Sequence, residues 1–207
     1  MKHEWKKHEK NLYMPKEQAQ IMKIPAHKFF QIKGQGNPND SNFAKYIEVL
    51  YGLSYAIKML PKKSIVPTGY YNYTVYPLEG IWDISEEAKK INSGVLDKNT
   101  LVFNLMIRQP EFVTNELASE TILNIKNKTG NQLFDLAIFG EITDGKCVQI
   151  LHVGSYDDEP RSFEKLKKFC TENQLARVSG EHREIYLSDA RKVPKEKLKT
   201  ILRYQVK

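Results

Sequence analysis

The chain has 207 residues and only two cysteines, Cys147 and Cys170. Neither has a partner at metal-ligand spacing, so a zinc finger or other thiolate metal site is excluded. Two thiols fit a reducing cytosol, where a bond between them is not expected. Long apolar runs are also missing, and no stretch approaches the ~20 residues needed to span a bilayer. The charged head MKHEWKKHEKNLYM lacks the apolar core of a signal peptide. These absences predict a cytoplasmic protein with no membrane partner. Gly34-Gln35-Gly36 lacks the third glycine of a dinucleotide fingerprint, and its helix starts too late, so it reads as a strand-end turn. No nucleophile elbow or Ser/His/Asp order occurs. The residues call for no metal and no cofactor.

What is present suits one large domain or two small ones. Hydrophobic residues make up 41% and charged residues 28%, enough for a packed core. The net charge of +7 raises nucleic acid as a partner. Its distribution argues otherwise. Residues 1–33 and 189–207 each carry a net +5, and the body between them −3. With no helix-turn-helix, zinc-finger or RNA-binding aromatic pattern, the basic ends read as solvated lysine-rich segments. No direct nucleic-acid binding is expected.

Periodicity gives the element order. Lys28–Lys33 reads as a strand, followed by a loop of turn formers from Gly34 to Asp40. Ser41 is a candidate N-cap for an amphipathic helix from Phe43 to Leu60, which Pro61 stops. Tyr70–Tyr76 and Leu101–Gln109 read as strands, with a long connection containing Asn92-Ser93-Gly94 between them. A second helix spans about Val113–Lys128, with Gly130 as its C-cap. The pattern then returns as strand Val148–Val153, loop Gly154–Pro160, a helix marked by Phe163, Leu166 and Cys170, and strands His182–Ser188 and Thr200–Val206. The expected fold is α+β, a single domain over 1–207 built as a duplicated β-α-β-β unit with antiparallel sheets. Repeat one covers about 25–110, an inserted helical segment about 111–140, and repeat two about 145–206. Helices would cover one face and leave the other for a ligand pocket.

Strand alternation then sorts the candidate site residues. In HREIYLS, Arg183, Ile185 and Leu187 share one face; His182, Glu184, Tyr186 and Ser188 share the other. The apolar pair suits the helix side, so Glu184 and Tyr186 would be displayed opposite the helix. Glu184 is either a solvent-facing residue on a half-exposed sheet or a buried carboxylate that needs partners. Tyr70, Tyr71, Tyr73, Tyr76 and Trp82 put five aromatics in thirteen residues. They suit either an apolar core or a surface for planar and cationic ligands. Trp82 follows a Pro-Leu-Glu-Gly turn, where a loop would carry it over a pocket mouth. Asp157-Asp158-Glu159 lacks the calcium-loop pattern and reads as acids leading into a helix N-terminus. His152 reads as a satisfied core or surface histidine.

The segments KHEWKKHEK, FFQIKGQGNP, GYYNYTVYPLEGIWD, MIRQPEFV, LHVGSYDDEP and HREIYLSDARK resemble the GyrI-like small-molecule-binding family across residues 3–206. The resemblance implies two pseudo-symmetric β-α-β-β units with a pocket for bulky aromatic, often cationic molecules. A glutamate at the pocket centre is typical of the family and matches Glu184; the aromatic two residues on matches Tyr186. Tyr71, Tyr73, Trp82, Met106 and Tyr156 are the expected walls. The roughly 25 residues before the first strand are too few for a DNA-binding domain, which sets the chain apart from the family's transcription regulators. Drug sequestration or detoxification is the leading expectation. Some stand-alone members are similar to hydrolases that open the cyclopropane ring of DNA-alkylating natural products. Glu184 and Tyr186 would then be catalytic. A third possibility is a protein inhibitor of a topoisomerase.

Overall fold

Two strands of the protein run for 16 residues each, longer than their short apolar alternations predict. The computed structural model describes residues 2–91 and 96–207, so the Asn92-Ser93-Gly94 turn lies outside the described residues. Two units are resolved, residues 1–3 with 27–142, and residues 4–26 with 143–207.

In the first unit residues 28–35 of β1 (Gln20–Gln35) pair antiparallel with β3 (Leu101–Gln109), and β3 pairs antiparallel with β2 (Leu78–Ile84). Helix α1 (Ser41–Lys58) buries Val49, Leu50, Leu53, Ser54 and Ile57, the stripe that the i, i+3, i+4 spacing marks. Each fully buried aliphatic of this stripe stabilises the unit by about 1.5–3 kcal/mol. Gln109 donates from Nε2 to Ser54 Oγ at 2.9 Å, which places the Phe103, Leu105, Ile107, Gln109 face of β3 toward α1. Helix α2 (Asn115–Thr129) starts where the Thr114 side chain accepts from the Leu117 amide. It ends on Gly130 at φ +67°, the left-handed C-cap expected from the sequence.

Tyr70–Tyr76 is not one of the strands. Apart from an isolated bridge between Tyr73 and His3, it is irregular chain, and the strand lies one step later, at β2. Aromatic and β-branched content describes side chains that need burial, and here Tyr73 and Tyr76 obtain it from the connection itself, at 1% and 2% exposure. Trp82 therefore sits in a strand and not on a loop. It is buried against Phe103 at 5.4 Å and Phe43 at 5.8 Å between ring centroids. Its indole lies where a side chain at Gly80 would be: a Cβ there would meet Trp82 Nε1 at 2.6 Å.

The second unit has the same strand order. β4 (Ile138–Val153) pairs with β6 (Lys199–Gln205), and β6 with β5 (His182–Tyr186), all antiparallel. Helix α3 (Pro160–Glu172) opens with proline in its first turn, where the missing N–H costs nothing. Its Leu166 and Cys170 pack on Val148, Ile150, Leu202 and Tyr204.

The basic ends are less solvated than their composition suggests. Trp5 and Tyr13 of the charged head are buried and pack at 5.2 Å, while the lysines around them stay in water. Arg203, counted with the basic tail, is 4% exposed. It donates to Gln149 Oε1 from Nε (3.1 Å) and Nη2 (2.8 Å), and to Asp144 at 3.3 Å. Arg183 donates to the other Asp144 oxygen at 2.7 Å. The Asn11 and Leu12 carbonyls accept from Gln149 and Arg203, tying the head to this sheet.

Candidate functional site

Strand β5 alternates as expected: Arg183 and Ile185 are buried, and His182, Glu184 and Tyr186 are half-buried on the opposite face. The expected direction of these faces is reversed. Glu184 stands opposite Leu202 in the ladder, and Leu202 stands opposite Ile150. Both of those residues pack beneath α3, so His182, Glu184 and Tyr186 face the helix. Apolar residues do not mark the helix side here, because the other face is covered too, by the head segment and the Asp144–Arg183–Arg203 group. That second covering is not visible in a strand of five residues.

The Glu184 side chain is 12% exposed. Its Oε1 accepts from His182 Nε2 at 3.0 Å, and its Oε2 from the Tyr186 hydroxyl at 2.8 Å. A carboxylate only accepts, so His182 carries a proton on Nε2. The His182 ring is held edge-on against Phe163 of α3, 4.8 Å between centroids. Tyr186 in turn meets the exposed ring of Tyr156 edge-on at 5.9 Å. Partial burial, followed by the charges of Glu184, Glu159 and Asp189, pushes the Tyr156 phenol up to about 12.

A second carboxyl completes the cluster. Glu159, immediately before α3, is 6% exposed and close enough to Glu184 to feel its charge. Burial, and then the negative charge of Glu184, pushes its carboxyl up to about 10. Two carboxyls whose proton affinities are pushed apart can divide acid and base roles between them. Nearby, His152 is the satisfied core histidine expected from the sequence: Nδ1 pairs with Ser162 Oγ at 2.9 Å, and Nε2 donates to the Ser155 carbonyl at 3.0 Å.

The sequence-predicted residues divide between the units. Glu184, Tyr186 and Tyr156 come together in the second. In the first, Tyr71 and Tyr73 lie 6.3 Å apart and both meet Phe112, at 5.6 and 6.0 Å. Lys58 Nζ stands 4.9 Å over the Tyr73 ring. Trp82 and Met106 are not brought together. Trp82 is opposite Phe103 and Met106 opposite Glu79, so they lie on opposite faces of the sheet. Glu159 and His182 were missed as site residues. The signal for His182 was its period-two relation to Glu184; Glu159 gave none, because acids before a helix are ordinary. Among the described residues no group of His, Cys, Asp or Glu is arranged to hold a metal ion. No described helix is long and apolar enough to cross a membrane.

Antiparallel strands and helices, with a largely buried carboxyl cluster beside aromatic rings, define an α+β protein. The chain belongs to the GyrI-like family: the GyrI-like small molecule binding domain matches residues 17–207. It is similar to a hydrolase from Listeria innocua at 30% identity, with 99% of this chain and 100% of that one covered and a TM-score of 0.88. A conserved protein from the same organism is 31% identical over 99% of this chain and 100% of its own, with a TM-score of 0.90. The EcmrR C-terminal domain is alike in fold alone, at 14% identity, 92% and 97% coverage and a TM-score of 0.53. No curated protein sequence matches the chain significantly.

Proposed function

We propose that the protein is a hydrolase that opens a strained, electrophilic cyclopropane ring on a bulky aromatic small molecule. The observation that carries the reading is the largely buried Glu184 carboxylate held between the Tyr186 hydroxyl and His182 Nε2. The 30% identity to a protein described as a hydrolase, over the full length of both chains, supports it. Glu184 takes a proton from water as the water oxygen bonds to a ring carbon. The ring carbon–carbon bond breaks, and its electron pair passes to a conjugated carbonyl on the substrate, which is protonated to a hydroxyl. The net change is addition of one water. General base catalysis of this kind is worth about 10²–10⁴-fold, and ring strain supplies the driving force. Tyr186 fixes the carboxylate, and the Tyr156 ring offers a flat surface to the aromatic body. The test is turnover of a cyclopropane-bearing aromatic electrophile in heavy-oxygen water. One heavy oxygen in the opened product is expected; an unlabelled product, or none, removes the reading.

A second reading is sequestration of lipophilic aromatic cations. The single negative charge of Glu184 beside the Tyr186 and Tyr156 rings favours it, because such a charge attracts a cation far more strongly in a desolvated site than in water. Titration with a fluorescent lipophilic cation, wild type beside Glu184→Gln, tests it. Selective loss of cations is expected. Equal loss of neutral ligands of the same shape removes the electrostatic part.

A further inference from the structure

We infer that Glu159 and Glu184 work as one proton-sharing pair, in which Glu159 keeps the proton and, as a positioning residue, holds Glu184 ready as the base. The use of Glu184 as a base rests on the hydrolase reading; the sharing of the proton does not.

Three observations carry it. Both oxygens of Glu184 are already engaged, Oε1 by His182 and Oε2 by Tyr186, so donors converge on Glu184 as the charged member. Glu159 has the opposite surroundings. Its Oε1 is buried, and no donor of the described residues reaches it. A buried carboxylate oxygen without a donor is costly, whereas a protonated carboxyl facing a carboxylate supplies its own hydrogen bond. Finally, two carboxylates in contact cannot both be charged in a desolvated site.

The charges facing Glu159 agree. From its own turn come Asp157 and Tyr156, and from β5 comes Glu184. Asp158 is engaged by Ser155. The Arg161 guanidinium of α3 is turned to the Val153 carbonyl, and both His152 nitrogens are engaged. Negative charge dominates, and its effect is to keep the proton on Glu159.

The pair leaves Glu184 with one charge, its two oxygens held by His182 and Tyr186 on β5 and a proton-bearing Glu159 beside it at the start of α3. Loss of the Glu159 proton would set two charges against each other and release Glu184 from the helix side.

The test is a ¹³C NMR titration of the whole protein labelled at the glutamate carboxyl carbons, which requires no substrate. One carboxyl is expected to stay protonated well above pH 7. Its signal should vanish in Glu159→Gln and move down by about one pH unit or more in Glu184→Gln, where the neighbouring charge is gone. If Glu159→Gln does not fold, the Glu184→Gln shift still decides. No carboxyl titrating above pH 7 in the wild type, its persistence in Glu159→Gln, or an unmoved titration in Glu184→Gln overturns the pair. Absence of turnover would remove the hydrolase reading and leave these titrations standing.

Discussion

Tyr186 donates its phenolic hydrogen to Glu184 Oε2 over 2.8 Å, from two residues further along the same face of β5. The period of a strand makes this contact local, so it forms whenever β5 forms. A hydrogen bond to a charged group is worth about 1.5–3 kcal/mol. Tyr186→Phe keeps the ring against Tyr156 and removes only the bond. Its kcat/KM on a cyclopropane electrophile should fall about 10–100-fold, mostly in kcat. Steady-state kinetics check it; a loss confined to KM would assign Tyr186 to binding alone.

Glu159 makes stability depend on pH in a stated direction. Its carboxyl titrates near 4.5 when unfolded and is pushed up to about 10 in the folded protein. The folded state therefore binds the proton more tightly. The stability this contributes is whole below about pH 4.5 and is lost progressively as pH rises toward 10. Glu159→Gln removes the titration and keeps a donor toward Glu184. Relative to wild type, it should gain about 1–3 kcal/mol between pH 4.5 and pH 7. Denaturant unfolding at the two pH values measures this, and an equal pH slope in both proteins would refute it.

Asp144 pairs with two buried guanidiniums, Arg183 at 2.7 Å and Arg203 at 3.3 Å. Removing one partner of a buried ionic group typically costs about 3–5 kcal/mol, because the remaining charge stays desolvated. Asp144→Asn should lower stability by that order in denaturant unfolding. A cost below about 1 kcal/mol, the level of an exposed pair, would show that the group is solvated.

The Gly80 position has no room for a methyl group beside Trp82. Gly80→Ala should destabilise the first unit by about 1–3 kcal/mol through overpacking. The thermal midpoint and Trp82 fluorescence report it together; an unchanged midpoint would show that the indole moves aside freely.

The legible parts of the fold were those set by local periodicity. The stripe of α1, the Gly130 cap, and β3, β5 and β6 follow from spacing alone. Strand β2 was misplaced because Tyr70–Tyr76 has strand composition yet is buried without a ladder, while Leu78–Ile84 carries Glu79, Gly80 and Asp83 and reads as a turn. The site was half legible. Glu184 and Tyr186 are related by a period of two, which a sequence displays. Glu159 reaches Glu184 only through the packing of α3 on the sheet, a tertiary relation between residues 25 positions apart. The face that Glu184 occupies depended on the second covering of the sheet by the head segment, from the far end of the chain.

If Glu184 is the base of a water-adding ring opening, turnover requires its carboxylate. Wild type and Glu184→Gln are incubated with the same cyclopropane-bearing aromatic electrophile, and the hydrated product is followed by mass. The account predicts turnover in the wild type and a loss of about 10²-fold or more in Glu184→Gln, with the substrate still bound. Equal turnover in both proteins would contradict it.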